Sequence, residues 1–143
     1  MDIAEDFNAR ELGVLKGLLC ELYFRAGERI LRQGDPGDSV FFLVRGAVSV
    51  KIFIPDKKRF KRLLTIESGV VFGEMSLLDG RARSADVYAE EDCKVLKLSC
   101  SDVSSLKGSD PEIVIKILTN MAKQLSRHLR KSNSELRVLE ESY

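Results

Sequence analysis

Between Val71 and Ala85 the chain reads Val-Phe-Gly-Glu-Met-Ser-Leu-Leu-Asp-Gly-Arg-Ala-Arg-Ser-Ala, and these residue types suit the capture of an anion. Gly73 lets the backbone approach a ligand closely, and the amides from Gly73 to Ser76 can open a helical turn whose N–H groups converge on one charge. Arg83 adds a planar fork of five donors that matches phosphate oxygens, and Ser84 adds a hydroxyl beside it. Glu74 conflicts with this, because a carboxylate only accepts hydrogen bonds and repels a phosphate. A sugar hydroxyl resolves the conflict. One loop then offers amides and arginine to a phosphate and a carboxylate to a ribose, which describes a compact ribose-phosphate ligand.

Other chemistry is poorly supplied. His128 is the only histidine, and Cys20, Cys93 and Cys100 lack any C-x-x-C spacing, which suits reduced, packed thiols better than a zinc site or a disulfide framework. Phosphodiester hydrolysis is the nearest enzymatic reading, but the P-loop, nucleophile-elbow and paired-histidine patterns are absent and no base stands beside the loop. The chain is therefore expected to be no enzyme, with no catalytic residue, metal or cofactor beyond its ligand. The formal charge of +1, from 23 Lys+Arg against 22 Asp+Glu, gives no support for whole-molecule attraction to nucleic acid or an anionic membrane. The longest strongly apolar stretch, Val40–Val44, falls far short of the roughly 18 residues of a membrane span. Residues 1–9 carry no signal-peptide pattern, so a cytoplasmic location is expected.

The elements that must position the loop are legible in outline. A length of 143 residues fits one domain. Leu12, Leu15, Leu18, Leu19 and Leu22 recur at helical intervals, giving an N-terminal helical part over about residues 1–22. From 23 to 100, glycines punctuate short β-branched and aromatic runs, the clearest being Val40–Val44, Ala47–Ile54, Arg62–Ile66 and part of Asp86–Leu98. Gln33–Asp38 reads as a turn, and Pro55–Lys58 as a hairpin tip followed by a basic run that solvates an edge.

Asp110-Pro111 starts a long helix over 110–141, with proline where its missing N–H costs nothing. In it Ile113, Val114, Ile117 and Met121 are placed to pack on the β-domain. Ile115, Leu118, Ala122, Leu125, Leu129, Leu136 and Leu139, interrupted by Ser132, form a heptad-like seam suited to a parallel contact between identical chains.

Phe72-Gly73-Glu74-Met75-Ser76-Leu77 followed by Arg83-Ser84-Ala85 resembles the phosphate-binding cassette of the cyclic nucleotide-binding domain family. Gly34-Asp35, Asp38, Phe41, Leu43, Gly46, Val48 and Val50 are similar to that family's upstream strand-turn-strand pattern. The resemblance covers roughly residues 8–140 and points to a catabolite activator protein-like sensor without the DNA-binding part. It implies a mainly β fold with flanking helices: a β-roll or jelly-roll-like barrel carrying the loop 71–85, an N-terminal helix and a long C-terminal helix.

By the same resemblance Glu74 takes the ribose 2′-hydroxyl and Arg83 the cyclic phosphate. The Gly73–Ser76 backbone, Met75 and Ser76 included, completes the anion site with Ser84; Val71 and Phe72 line the pocket, and Ala85 is counted with the ligand-binding residues. Leu125, His128 and Leu129 are candidate base contacts, with His128 and Leu129 standing where the activator group carries hydroxyl residues. The ligand is expected to be cyclic AMP rather than cyclic GMP. The output is expected to run through movement of the C-terminal helix, a homodimer and a separate effector protein or effector domain, without direct DNA binding by a chain ending at Tyr143. The alternative is a ligand-blind dimerisation or interaction module of the same fold.

Overall fold

The computed structural model describes residues 6–67 and 69–141, with the side chains of Met75 and Ser76 outside the described set. Asn8 starts the first helix with a reciprocal cap. Its side chain accepts from the Glu11 N–H at 2.9 Å while its own N–H donates to the Glu11 carboxylate at 3.0 Å, satisfying donors that a helix start leaves unpaired. This helix, α1, runs Ala9–Leu18, and the chain passes at once into β1 (Cys20–Phe24). Leu22 continues the helical spacing in sequence yet lies in that strand.

The remaining elements follow in order: β2 (Arg29–Leu31), β3 (Ser39–Arg45), β4 (Ala47–Ile54), β5 (Arg59–Glu67), β6 (Val71–Phe72), α2 (Glu74–Asp79), β7 (Asp86–Ala89), β8 (Cys93–Ser99), α3 (Cys100–Ser109) and α4 (Pro111–Glu141). The strands form two four-stranded antiparallel sheets, β1-β8-β3-β6 and β2-β7-β4-β5. Strands β3 and β4 belong to different sheets, and the chain crosses between them at Gly46. There φ is +102° and an added Cβ would fall 2.6 Å from the Asp92 carbonyl oxygen, so only glycine fits.

The expected β-roll or jelly-roll-like barrel is corrected by this topology. Among the described residues no strand of one sheet pairs with a strand of the other, so the sheets are not closed into a barrel. Closure needs edge strands that hydrogen-bond to each other. Here β6 is only two residues long, and its outer edge is occupied by a side chain of α4, Gln124.

Two apolar clusters give the layering. Phe41, Leu43, Phe72 and Val95 of the first sheet meet Val48, Ile66, Val87 and Ala89 of the second, filling the space between the sheets. On the other face of the first sheet, Val40, Phe42, Val71 and Leu98 pack against Leu15 of α1, Val103 and Leu106 of α3 and Ile113, Val114, Ile117 and Met121 of α4. The side chains of β3 and β6 alternate between these clusters, as the period of a strand requires.

Helix α3 was not foreshadowed by apolar spacing, since only Val103 and Leu106 are buried in it; Ser99 caps it, accepting from the Asp102 N–H at 3.0 Å. Helix α4 spans 31 residues and buries Ile113, Val114, Ile117, Met121 and Gln124, all in its first half. Further on, Leu129, Leu136 and Leu139 are 63%, 59% and 55% exposed. No helix among the described residues is long and apolar enough to cross a membrane.

Candidate ligand-binding site

Arg83 is placed first by its backbone. Its N–H donates to the Asp35 carbonyl at 2.8 Å and its own carbonyl accepts from the Gly34 N–H at 2.9 Å, so the turn 33–38 braces the far end of the loop. The following strand is anchored too, because buried Asp86 accepts from the Gln33 N–H at 2.6 Å.

Arg83 is 6% exposed, with its guanidinium turned inward. It donates to the Gly73 carbonyl at 2.9 Å and to the Ser39 carbonyl at 2.8 Å, and lies 5.6 Å from the centre of the Phe41 ring. Burial pushes its pKa down, opposed first by the charge of Asp38. A guanidinium carries five N–H donors, so these two bonds leave others for a ligand. The Ser39 hydroxyl donates to Asp38 at 2.7 Å, and this bond holds the Asp38 carboxyl below its usual range, with Lys97 and Arg83 adding to the effect.

Gly73 has φ of +74°, and an added Cβ would lie 2.7 Å from the Arg83 Nη1. The residue therefore meets both demands expected of it, a left-handed turn and close approach. Glu74 follows as the first residue of α2. Burial raises its carboxyl above the ordinary range, while its own N–H and the Arg83 charge act in the opposite direction.

These groups share a cavity of about 340 Å³. The loop contributes Phe72, Gly73, Glu74, Arg83, Ser84 and Ala85, and α4 contributes His128. Apolar walls come from Leu31 of β2, Val50 of β4, Leu63, Leu64 and Ile66 of β5, and Val87 of β7. Burial, then Arg127 and Lys131, lower the His128 pKa and so favour the neutral imidazole, which offers one donor and one acceptor.

Not every expected residue joins the cavity. The Val71 side chain lies in the cluster beneath the helices, because Phe72 takes the inward position of the two-residue strand. Leu125 and Leu129 do not line the cavity wall, and Leu129 is largely exposed on the seam side of α4. Met75 and Ser76 lie in the first turn of α2, and their side chains fall outside the described residues. Conversely, the apolar walls from β2, β4, β5 and β7 were not singled out from sequence. Alternation along Ala47–Ile54 marks Val50 as inward, but the register shift opposite Leu63 hides which face of β5 looks inside. A second cavity of about 290 Å³, bounded by α1, β3 and α4, is lined almost wholly by apolar residues, with Lys16 at its edge.

Residues 21–110 match the cyclic nucleotide-binding domain family. Among curated proteins, Glutaminase 2 of Bradyrhizobium diazoefficiens is 33% identical over 134 residues, covering 94% of this chain and 20% of that protein. The chain thus spans about a fifth of the length of the first curated relatives it matches. A solved cyclic nucleotide-binding domain from Methylobacillus flagellatus is 27% identical with a TM-score of 0.83, covering 94% of this chain and 74% of that one. The catabolite activator protein of Thermus thermophilus is 28% identical with a TM-score of 0.75, covering 96% of this chain and 62% of that one. With the match extending from the first strand to the start of the long helix, this chain belongs to the cyclic nucleotide-binding domain family.

Proposed function

We propose that this domain binds cyclic AMP in preference to cyclic GMP and passes the event on through α4. One observation carries the reading: a single cavity wall brings Gly73 and Glu74 from one end of the loop together with Arg83 and Ser84 from the other. Arg83, Ser84 and the amides at the start of α2 take the cyclic phosphate, and Glu74 accepts from the ribose 2′-hydroxyl. Ala85 and Phe72 close the wall behind the sugar. The base lies against apolar walls and His128. A neutral imidazole among leucines favours adenine, which presents fewer polar edge groups than guanine and so is less costly to bury.

The domain is a regulatory, non-catalytic module like the sensor proteins whose fold it shares. Its output passes to an effector protein or effector domain through α4, whose exposed leucine seam suits a parallel contact between two copies.

Thermal denaturation with and without cyclic AMP or cyclic GMP tests the ligand. Binding only to the folded state stabilises by about 2.7 kcal/mol at one hundred times the dissociation constant, a clear rise in Tm. Arg83→Ala should abolish the rise. Absence of any shift with either nucleotide overturns the reading in favour of a ligand-blind interaction module.

A further inference from the structure

The sheet that carries the loop ends at β6, whose outer edge has no neighbouring strand among the described residues. On its inner side, the Leu43 N–H donates to the Val70 carbonyl at 3.0 Å and the Gly69 N–H to the Leu43 carbonyl at 2.8 Å. Both polar groups of Val71 face the other way, into a buried space under α4, where open strand edges need partners. Gln124 supplies both. Its carbonyl oxygen accepts from the Val71 N–H at 2.8 Å and its amide nitrogen donates to the Val71 carbonyl. At 4% exposure the Gln124 side chain is sealed from water, so a helical carboxamide does what an added strand would do.

The placement matters because Val71 is two residues before Gly73 and three before Glu74, while Gln124 is one helical turn before His128. The same pair therefore joins the loop that presents the polar groups of the cavity to the helix that closes it. Arg83 grips the loop from the other side through the Gly73 carbonyl.

We infer that Gln124 is the positioning residue that fastens α4 to the loop, so that α4 cannot lift from the cavity without stripping both partners from Val71. For its effect on nucleotide this inference rests on the proposed function; the fastening itself does not.

Amide hydrogen exchange on the full chain without ligand tests the fastening. In Gln124→Met, which keeps the length and removes both hydrogen bonds, protection at Val71 and over Gly73–Ser76 should fall by about tenfold or more. Protection at Val40 and Leu98 in the same sheet should stay within about threefold of wild type. Unchanged protection at Val71 and the loop overturns the inference.

Gln124→Glu keeps the test decisive if the methionine variant does not fold. A neutral carboxylic acid can accept and donate as the carboxamide does, whereas its ionised form cannot donate. Protection factors at Val71 in that variant should rise on acidification relative to wild type measured at the same pH; a constant ratio overturns the inference.

Cyclic AMP dissociation, followed by stopped flow, should be about tenfold faster from Gln124→Met with association little changed. Lost Val71 protection with unchanged dissociation removes the role at the site. Absence of cyclic AMP and cyclic GMP binding to wild type removes the proposed function, and the exchange result then decides the fastening by itself.

Discussion

Arg83 and Gly73 are fitted to each other, since the Arg83 Nη1 donates to the Gly73 carbonyl at 2.9 Å and stands where a Cβ on residue 73 would have to go. Gly73→Ala therefore combines a left-handed backbone, costing about 1–2 kcal/mol for a residue with a side chain, with displacement of the guanidinium. A lower urea midpoint and weaker cyclic AMP binding by titration calorimetry are both expected. An alanine variant with wild-type midpoint and affinity would contradict this fit.

Glu74 sets a pH dependence of known sign. Burial raises its folded pKa above the unfolded value near 4.5. The folded state thus holds the proton more tightly, so this group's contribution to stability falls as pH rises from that value through the folded pKa. A ribose hydroxyl donating to the carboxylate favours the ionised form, so cyclic AMP affinity should rise over the same window and level off above it. Calorimetry across that range should show the trend in wild type and its loss in Glu74→Gln.

Glu11 behaves in the opposite way. The Asn8 N–H, then the Lys116 ammonium at 2.6 Å, hold its carboxyl below the ordinary range and tie α1 to α4. Stability from a lowered carboxyl is present above its unfolded pKa and is lost as pH falls through the folded pKa. Lys116→Met should lower Tm at neutral pH, and the difference from wild type should shrink under acid. A difference that stays constant with pH would rule the ion pair out as its source.

The seam on α4 predicts self-association. Leu136 is 59% exposed and does not line the cavity, so Leu136→Glu should keep the native circular dichroism spectrum while converting a micromolar dimer to monomer in sedimentation velocity. A wild-type chain that sediments as a monomer at that concentration defeats the dimer outright.

The loop was legible because its residues are individually unusual for a surface turn: a glycine forced to positive φ, a carboxylate beside an arginine, and small residues after it. The long helix was legible from Asp110-Pro111 and its spacing. The bracing of Arg83 by the Gly34 and Asp35 backbone was not, since main-chain hydrogen bonds leave no mark on residue identity. Nor was the open arrangement of the sheets, which depends on which strand edges meet in space. Gln124 was not singled out from the sequence, yet it continues the buried spacing of Ile113, Val114, Ile117 and Met121; that spacing was the available signal. His128 lines the cavity while Leu125 and Leu129 do not, because around the helix axis Leu125 is turned about 60° and Leu129 about 100° away from it, to the same side.

The unburied end of α4 works as a pointer. From Gln124 to Glu141 the helix extends about 25 Å at 1.5 Å per residue; no described residue beyond the pivot is fully buried, and His128 is the one that reaches the cavity wall. By simple geometry on that length, a tilt of about 10° at Gln124 carries the tip roughly 4 Å sideways. On the proposed function, a shift of about 1 Å at His128, one turn beyond that pivot, would be geared up to a displacement on the scale of a side chain, at the end of the helix where Leu136, Val138 and Leu139 are exposed.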